Sequence, residues 1–149
     1  MEEKRNLLVA DRLDITELLA RINQSFDDFD ADGFAAQFAL DSSMTGGPAH
    51  AREFARGADE LRQWVIDSRK RPPHRHYTTN VVITPLGVDG TRAAARSHFI
   101  YVEFVEGAPR VKITGIYEDV LVREDDRWKV EERVAHQDRA VESSSALRR

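Results

Sequence analysis

Apolar residues recur at Ile15, Leu18, Leu19, Ile22, Phe26 and Phe29, steps of three and four that fall on one face of a helix. The pattern predicts an amphipathic first helix starting between Asp11 and Asp14, with Asp14 and Glu17 three apart as in a capping box. Asp30-Ala31-Asp32-Gly33 breaks it, and a short second helix is expected to carry Phe34 and Phe38. Small polar residues from Asp41 to Pro48 predict a loop or a short irregular strand. A third helix is expected from about Ala58 to Arg69, with Leu61, Trp64 and Val65 as its buried stripe, and Pro72-Pro73 ends it.

After the prolines the sequence turns to β-branched and aromatic runs at residues 76–84, 92–105, 111–122 and 128–136. The segments between them, Leu86 to Gly90, Glu106 to Pro109 and Glu124 to Asp126, have the length and composition of hairpin turns. Helices followed by a meander of long antiparallel strands make an α+β fold, unlike the alternating order of a nucleotide-binding sheet, and no glycine-rich phosphate loop is present. Long strands curl, and a curled sheet with helices on its concave side encloses a pocket.

The 149 residues suffice for one domain, placed at residues 1–139, with residues 140–149 as a loose tail. Lys and Arg number 22 against 26 Asp and Glu, a net charge of -4 that argues against binding nucleic-acid phosphates or anionic lipid. No apolar run approaches a membrane span, and the charged start Glu2-Glu3-Lys4-Arg5 is unlike a secretory signal, so a cytoplasmic protein is expected. With no cysteine, thiolate chemistry is excluded and oxygen and nitrogen groups must do the work.

Five histidines are available. His98 lies in the alternating row His98, Ile100, Val102, Phe104, which predicts an inward imidazole, either a hydrogen-bonded core group or a pocket group. The other row, Phe99, Tyr101 and Val105, is then an apolar outer face that calls for a homodimer or homotrimer. His76 opens the first strand of the meander, where a rigid scaffold presents reactive groups. His74 and His76 form an H-x-H pair, yet no third-ligand spacing accompanies it, so no metal site is expected. Asp27 falls on the shoulder of the first helix's apolar stripe, as does Asp30, and the helical wheel does not separate them. Arg133 stands in a strand with charges on both faces, for which an outward pairing with a surface carboxylate is the default.

Three stretches together resemble the SnoaL-like branch of the nuclear transport factor 2-like superfamily, a cone-shaped α+β fold. They are the helix from Asp14 to Asp27, the segment HYTTN at residues 76–80, and GIYEDVLVREDDRWKVEERV at residues 115–134. The branch contains polyketide cyclases, scytalone dehydratase, bile acid dehydratases and a hexachlorocyclohexane dehydrochlorinase. The resemblance implies that Asp27 and His76 form an Asp–His dyad that abstracts a proton, and that His98 and Arg133 share the pocket with it. It also implies a pocket lined by Ile22, Phe26 and Trp64 from the helices, and by Ile100, Ile113, Tyr117 and Ala135 from the sheet. Ile22 replaces a cationic or amide residue of the dehydrochlorinase, and Phe26 replaces a tyrosine of scytalone dehydratase, which tells against those two activities.

The activity so implied is that of a cofactor-independent lyase, isomerase or cyclase acting on a small, hydrophobic or polyketide-like cyclic molecule. In that scheme His98 protonates a departing hydroxyl or bonds a carbonyl, and Arg133 stabilises the enolate. The alternative is a non-catalytic module of the same fold, a small-ligand binder or a scaffold like the small subunit of ring-hydroxylating dioxygenases.

Overall fold

A computed structural model describes residues 7–47 and 50–138, so the expected tail lies outside the described residues. The helices are α1 (Val9–Asp27), α2 (Ala31–Ala35) and α3 (Gly57–Ser68). The strands are β1 (Phe38–Gly46), β2 (Glu53–Arg56), β3 (His74–Leu86), β4 (Arg92–Val105), β5 (Ala108–Glu124) and β6 (Arg127–Gln137). They form one sheet in the order β2-β1-β6-β5-β4-β3, in which β1 runs parallel to β6 and every other neighbour is antiparallel.

Helix α1 starts earlier than its apolar spacing suggests, because the Leu8 N–H donates to the Asp11 carboxylate at 3.0 Å and satisfies an amide the helix leaves free. Asp11 also accepts from Arg123 at 2.8 Å and from the Trp128 indole at 3.0 Å, tying the start of α1 to the β5–β6 hairpin. From that anchor Ile15, Leu18, Leu19 and Ile22 pack on Ala93, Ala95, Leu121 and Val130 of the sheet. Phe38, expected in the second helix, and the polar stretch after it, expected as a loop or a short irregular strand, together form the nine-residue strand β1. Their backbone partners come from β2 on one side and distant β6 on the other, which local composition does not encode.

Two strand faces differ from simple alternation. In β4 the buried row is Ala93, Ala95, Ser97, Phe99 and Tyr101, so His98 and Ile100 occupy the opposite face. The small residues are selected by the close approach of α1, and the aromatic ones begin where the helix ends and a cavity opens. His98 is exposed there and accepts from the Asn80 amide at 3.0 Å. The apolar outer row expected to require an oligomer is therefore not formed by Phe99 and Tyr101, which point inward. In β6 a register shift lets Val120 face Glu132 while Leu121 faces Val130. The extra residue moves the buried row from Trp128 and Val130 to Arg133 and Ala135.

Gly115 lies opposite Phe99, and a Cβ there would stand 2.2 Å from the His136 carbonyl oxygen and 2.6 Å from the Phe99 ring. Because backbone is one of the obstacles, Gly115→Ala is expected to destabilise the fold by about 1–3 kcal/mol. A urea midpoint equal to that of the unsubstituted protein would contradict this packing. Among the described residues no helix is long and apolar enough to cross a membrane.

Candidate active site

The concave side of the sheet and the ends of α1 and α3 enclose a cavity of about 80 Å³. Of the expected lining, Ile22, Phe26, Trp64, Ile113, Tyr117 and Ala135 are in place, and Ile100 is not, for the reason given by the face of β4. Phe99 and Tyr101 take the positions the inverted alternation denied them, and Asn23, Phe34 and Met44 complete the wall. Asn23, one helical position beyond Ile22, donates to the Thr78 hydroxyl at 2.6 Å, so a polar residue sits within the apolar stripe because β3 supplies its partner. Trp64 and Arg71 also border a larger groove along β2 and α3.

Asp27 is the last residue of α1, and its side chain is only 3% exposed. One carboxylate oxygen accepts the backbone N–H of His76 at 2.8 Å and the other accepts from His76 Nδ1 at 2.7 Å. The Asp–His pairing is thus a two-point contact between a helix end and the start of a strand. Asp30, which the helical wheel left equivalent, instead caps α2 by accepting the Gly33 N–H at 2.9 Å.

A proton held on Nδ1 by the carboxylate leaves Nε2 of neutral His76 as a lone pair, and that nitrogen has no protein hydrogen-bond partner among the described residues. His76 lines the cavity. Burial pushes its pKa below the usual 6.5, opposed by the hydrogen bond and charge of Asp27 and assisted by the charges of His74 and Arg133. The outcome is a neutral, oriented imidazole at neutral pH.

Alternation in β3 places His74 on the same face. Its ring is fully enclosed, Nδ1 donates to the Pro72 carbonyl at 3.0 Å, and Nε2 lies 3.7 Å from the Asp27 carboxylate without a hydrogen bond. The H-x-H pair therefore converges on one aspartate. Among the described residues no three metal-ligating side chains are arranged to hold an ion.

Arg133 is 1% exposed and faces the cavity, contrary to the outward default for a charged strand position. Its Nε and Nη2 donate to Asp119 at 2.7 and 2.9 Å, and its guanidinium carbon stands 4.2 Å from the centre of the Tyr117 ring. Burial works against the charge, but the Asp119 carboxylate outweighs it and holds the guanidinium above its ordinary pKa. Among the described residues Nη1 has no carboxylate partner. Tyr117 stacks on Phe99 with ring centres 4.3 Å apart, and burial pushes its hydroxyl up to about 12, so it stays a hydrogen-bond donor at any working pH. Asp119 was not singled out by sequence. Its only signal was parity, since it shares a face with Tyr117 two residues before it.

Helices packed in the hollow of a curled, unclosed sheet define the nuclear transport factor 2-like, or cystatin-like, class of fold, and solved proteins of that class superpose on the chain. Residues 8–134 match the family model of the SnoaL-like domain, and the chain belongs to that family. A protein of unknown function from Mycobacterium tuberculosis, Rv3472, solved as an aspartate-to-asparagine variant, is 25% identical with a TM-score of 0.81, covering 93% of this chain and 82% of that one. A scytalone dehydratase candidate from Novosphingobium aromaticivorans is 20% identical with a TM-score of 0.74, covering 88% and 86%. The beta subunit of a candidate aromatic-ring-hydroxylating dioxygenase from the same organism is 19% identical with a TM-score of 0.74, covering 89% and 93%. No curated protein matches the chain in sequence.

Proposed function

We propose that the protein is a cofactor-independent lyase or isomerase that removes a carbon-bound proton from a small, largely apolar cyclic carbonyl compound. The observation that carries this reading is the buried Asp27–His76 pair at the cavity wall, with His76 Nε2 left unpartnered. Nε2 takes the proton, the C–H electrons move toward the carbonyl oxygen, and Asp27 stabilises the imidazolium. The Tyr117 hydroxyl and the free Nη1 of Arg133 are the donors for the resulting oxyanion. The imidazolium then returns its proton to a different carbon, giving isomerisation, or to a departing β-hydroxyl, giving water and an enone. His98 has no part in this scheme, because it stands on the outer face of the sheet.

The cavity limits what enters. A site of roughly 150 Å³ accepts benzene, so one of about 80 Å³ holds the reacting part of a single small ring, with the rest of the molecule extending through the open side of the cavity. The same small volume, together with the likeness to a dioxygenase beta subunit, favours the second reading, a scaffold without turnover.

Proton exchange at carbon separates the two without a known substrate. In heavy water, the protein is expected to accelerate deuterium uptake into some member of a panel of small cyclic ketones, and His76→Ala to abolish the acceleration. Since the folded pKa of His76 lies below 6.5, the rate holds through neutral pH and falls only as the pH drops below that value and the base is protonated. Equal exchange in the two proteins would overturn the dyad. A homodimer or homotrimer remains part of the proposal, now through the outer sheet face that bears Val82 and Val134, and monomeric sedimentation at micromolar concentration would refute it.

A further inference from the structure

His74 is a buried titratable group beside the dyad that the proposed reaction leaves unused, and its surroundings are electrostatically unfinished. The Pro72 carbonyl can only accept, so His74 Nδ1 carries hydrogen. Neutral His74 then turns a bare Nε2 lone pair toward the Asp27 carboxylate 3.7 Å away, an arrangement of two acceptors facing each other inside the fold. Protonation of that nitrogen converts the opposition into an ion pair and satisfies the orphaned atom.

His76 is in the reverse situation. Its Nδ1 hydrogen already sits on Asp27, and an added proton would go to Nε2, which has no protein acceptor among the described residues. The two rings lie 5.9 Å apart, too close for both to be charged without mutual penalty. We infer that His74 takes the first proton at this site, and that its charge keeps His76 in the free-base form that abstraction requires.

The groups around His74 agree with that order. Helix α1 contributes the Asp27 carboxylate and the rings of Phe26 and Phe29. Strand β4 contributes Tyr101, whose ring is 5.4 Å away, and Glu103, which pairs with His74 in register and accepts the Tyr101 hydroxyl at 3.3 Å. Arg71 precedes the Pro72 carbonyl and is exposed, and Arg133 acts across the cavity on His76. His74 therefore meets the Asp27 carboxylate across its bare nitrogen, whereas His76, already hydrogen-bonded to that carboxylate, also meets the charges of His74 and Arg133. His74 is on this account a positioning residue that acts through Asp27 and touches no substrate.

The inference rests on the Asp27–His76 reading, and imidazole nitrogen NMR distinguishes failure of the one from failure of the other. In the ¹⁵N-labelled protein, titrated downward from mildly alkaline pH, His74 Nε2 is expected to gain its proton before His76 Nε2. In His74→Asn, the His76 midpoint is expected to rise by about two pH units, as for like charges about 6 Å apart at an effective dielectric near 20. The acid limb of ketone exchange should move up with it while the rate at high pH is retained. His76 protonating first in the unsubstituted protein would overturn the inference, and so would an unmoved His76 midpoint in folded His74→Asn. Should that variant not fold, the order of protonation in the unsubstituted protein decides. Absence of a protected low-field proton on His76 Nδ1 would instead remove the Asp27–His76 pairing and the proposed reaction with it.

Discussion

Replacing Asp119 by alanine is expected to lower stability by about 3–5 kcal/mol, a fall in melting temperature on the order of 10–20 °C. Arg133 is enclosed by the sheet and the Tyr117 ring, and two of its nitrogens are satisfied by one carboxylate. Truncating the carboxylate leaves a guanidinium that cannot deprotonate and whose Nε and Nη2 lose the carboxylate that held them. The loss therefore comes from the stranded partner more than from the pair itself. Replacing both residues, Asp119→Leu with Arg133→Met, is expected to recover much of the stability, because no charge is then left behind. Thermal unfolding of the two variants checks the point. A single variant as stable as the unsubstituted protein would mean that Arg133 finds another counterion.

Asp27→Asn is the second large effect, a loss of exchange activity of about 10²–10⁴-fold with the fold retained. The asparagine carbonyl can still accept the His76 backbone N–H, so the helix end stays docked on β3. Its amide, however, donates toward Nδ1. That reverses the tautomer, places the hydrogen on Nε2 and removes the lone pair that takes the proton. His76→Ala should lose as much by a different route, through absence of the base. Deuterium uptake into the responsive ketone measures both, and a rate within threefold of the unsubstituted protein in either variant would end the proposed role.

How far the sequence foretold this site depends on whether each position is governed locally or by distant contacts. The face of α1 was legible because a 3.6-residue apolar period runs from Ile15 to Phe26, and it carried Asp27 to the shoulder of the buried stripe. The four strands of the meander were legible from composition. His98 was misplaced because hydrophobicity pointed to Ile100 and Phe104, whereas the buried row is set by how closely α1 approaches Ala93 and Ala95. Arg133 points inward through an extra residue in β6, and a one-residue slip of this kind leaves no mark in the pattern of side chains. Strand β1 was left undecided between loop and short strand, and its extent was hidden, because its partners come from elsewhere in the chain. His74 was visible only as half of a metal motif, and the carboxylate that gives it a different role arrives from another element.

The parallel pairing of β1 with β6 also sets the order in which the protein can be assembled. Ser43 bonds alongside Glu132, so during synthesis the first strand waits until β6 has emerged before its inner edge is covered. Helix α1 and strand β3 can meet earlier, which allows the Asp27–His76 contact to form while the opposite wall of the cavity is still missing. Arg133 and Ala135 arrive last, with β6. A ribosome-bound chain ending before β6 is therefore a histidine and aspartate on an open sheet, and release of the final strand both closes the chamber and protects an edge otherwise free to pair with another nascent copy.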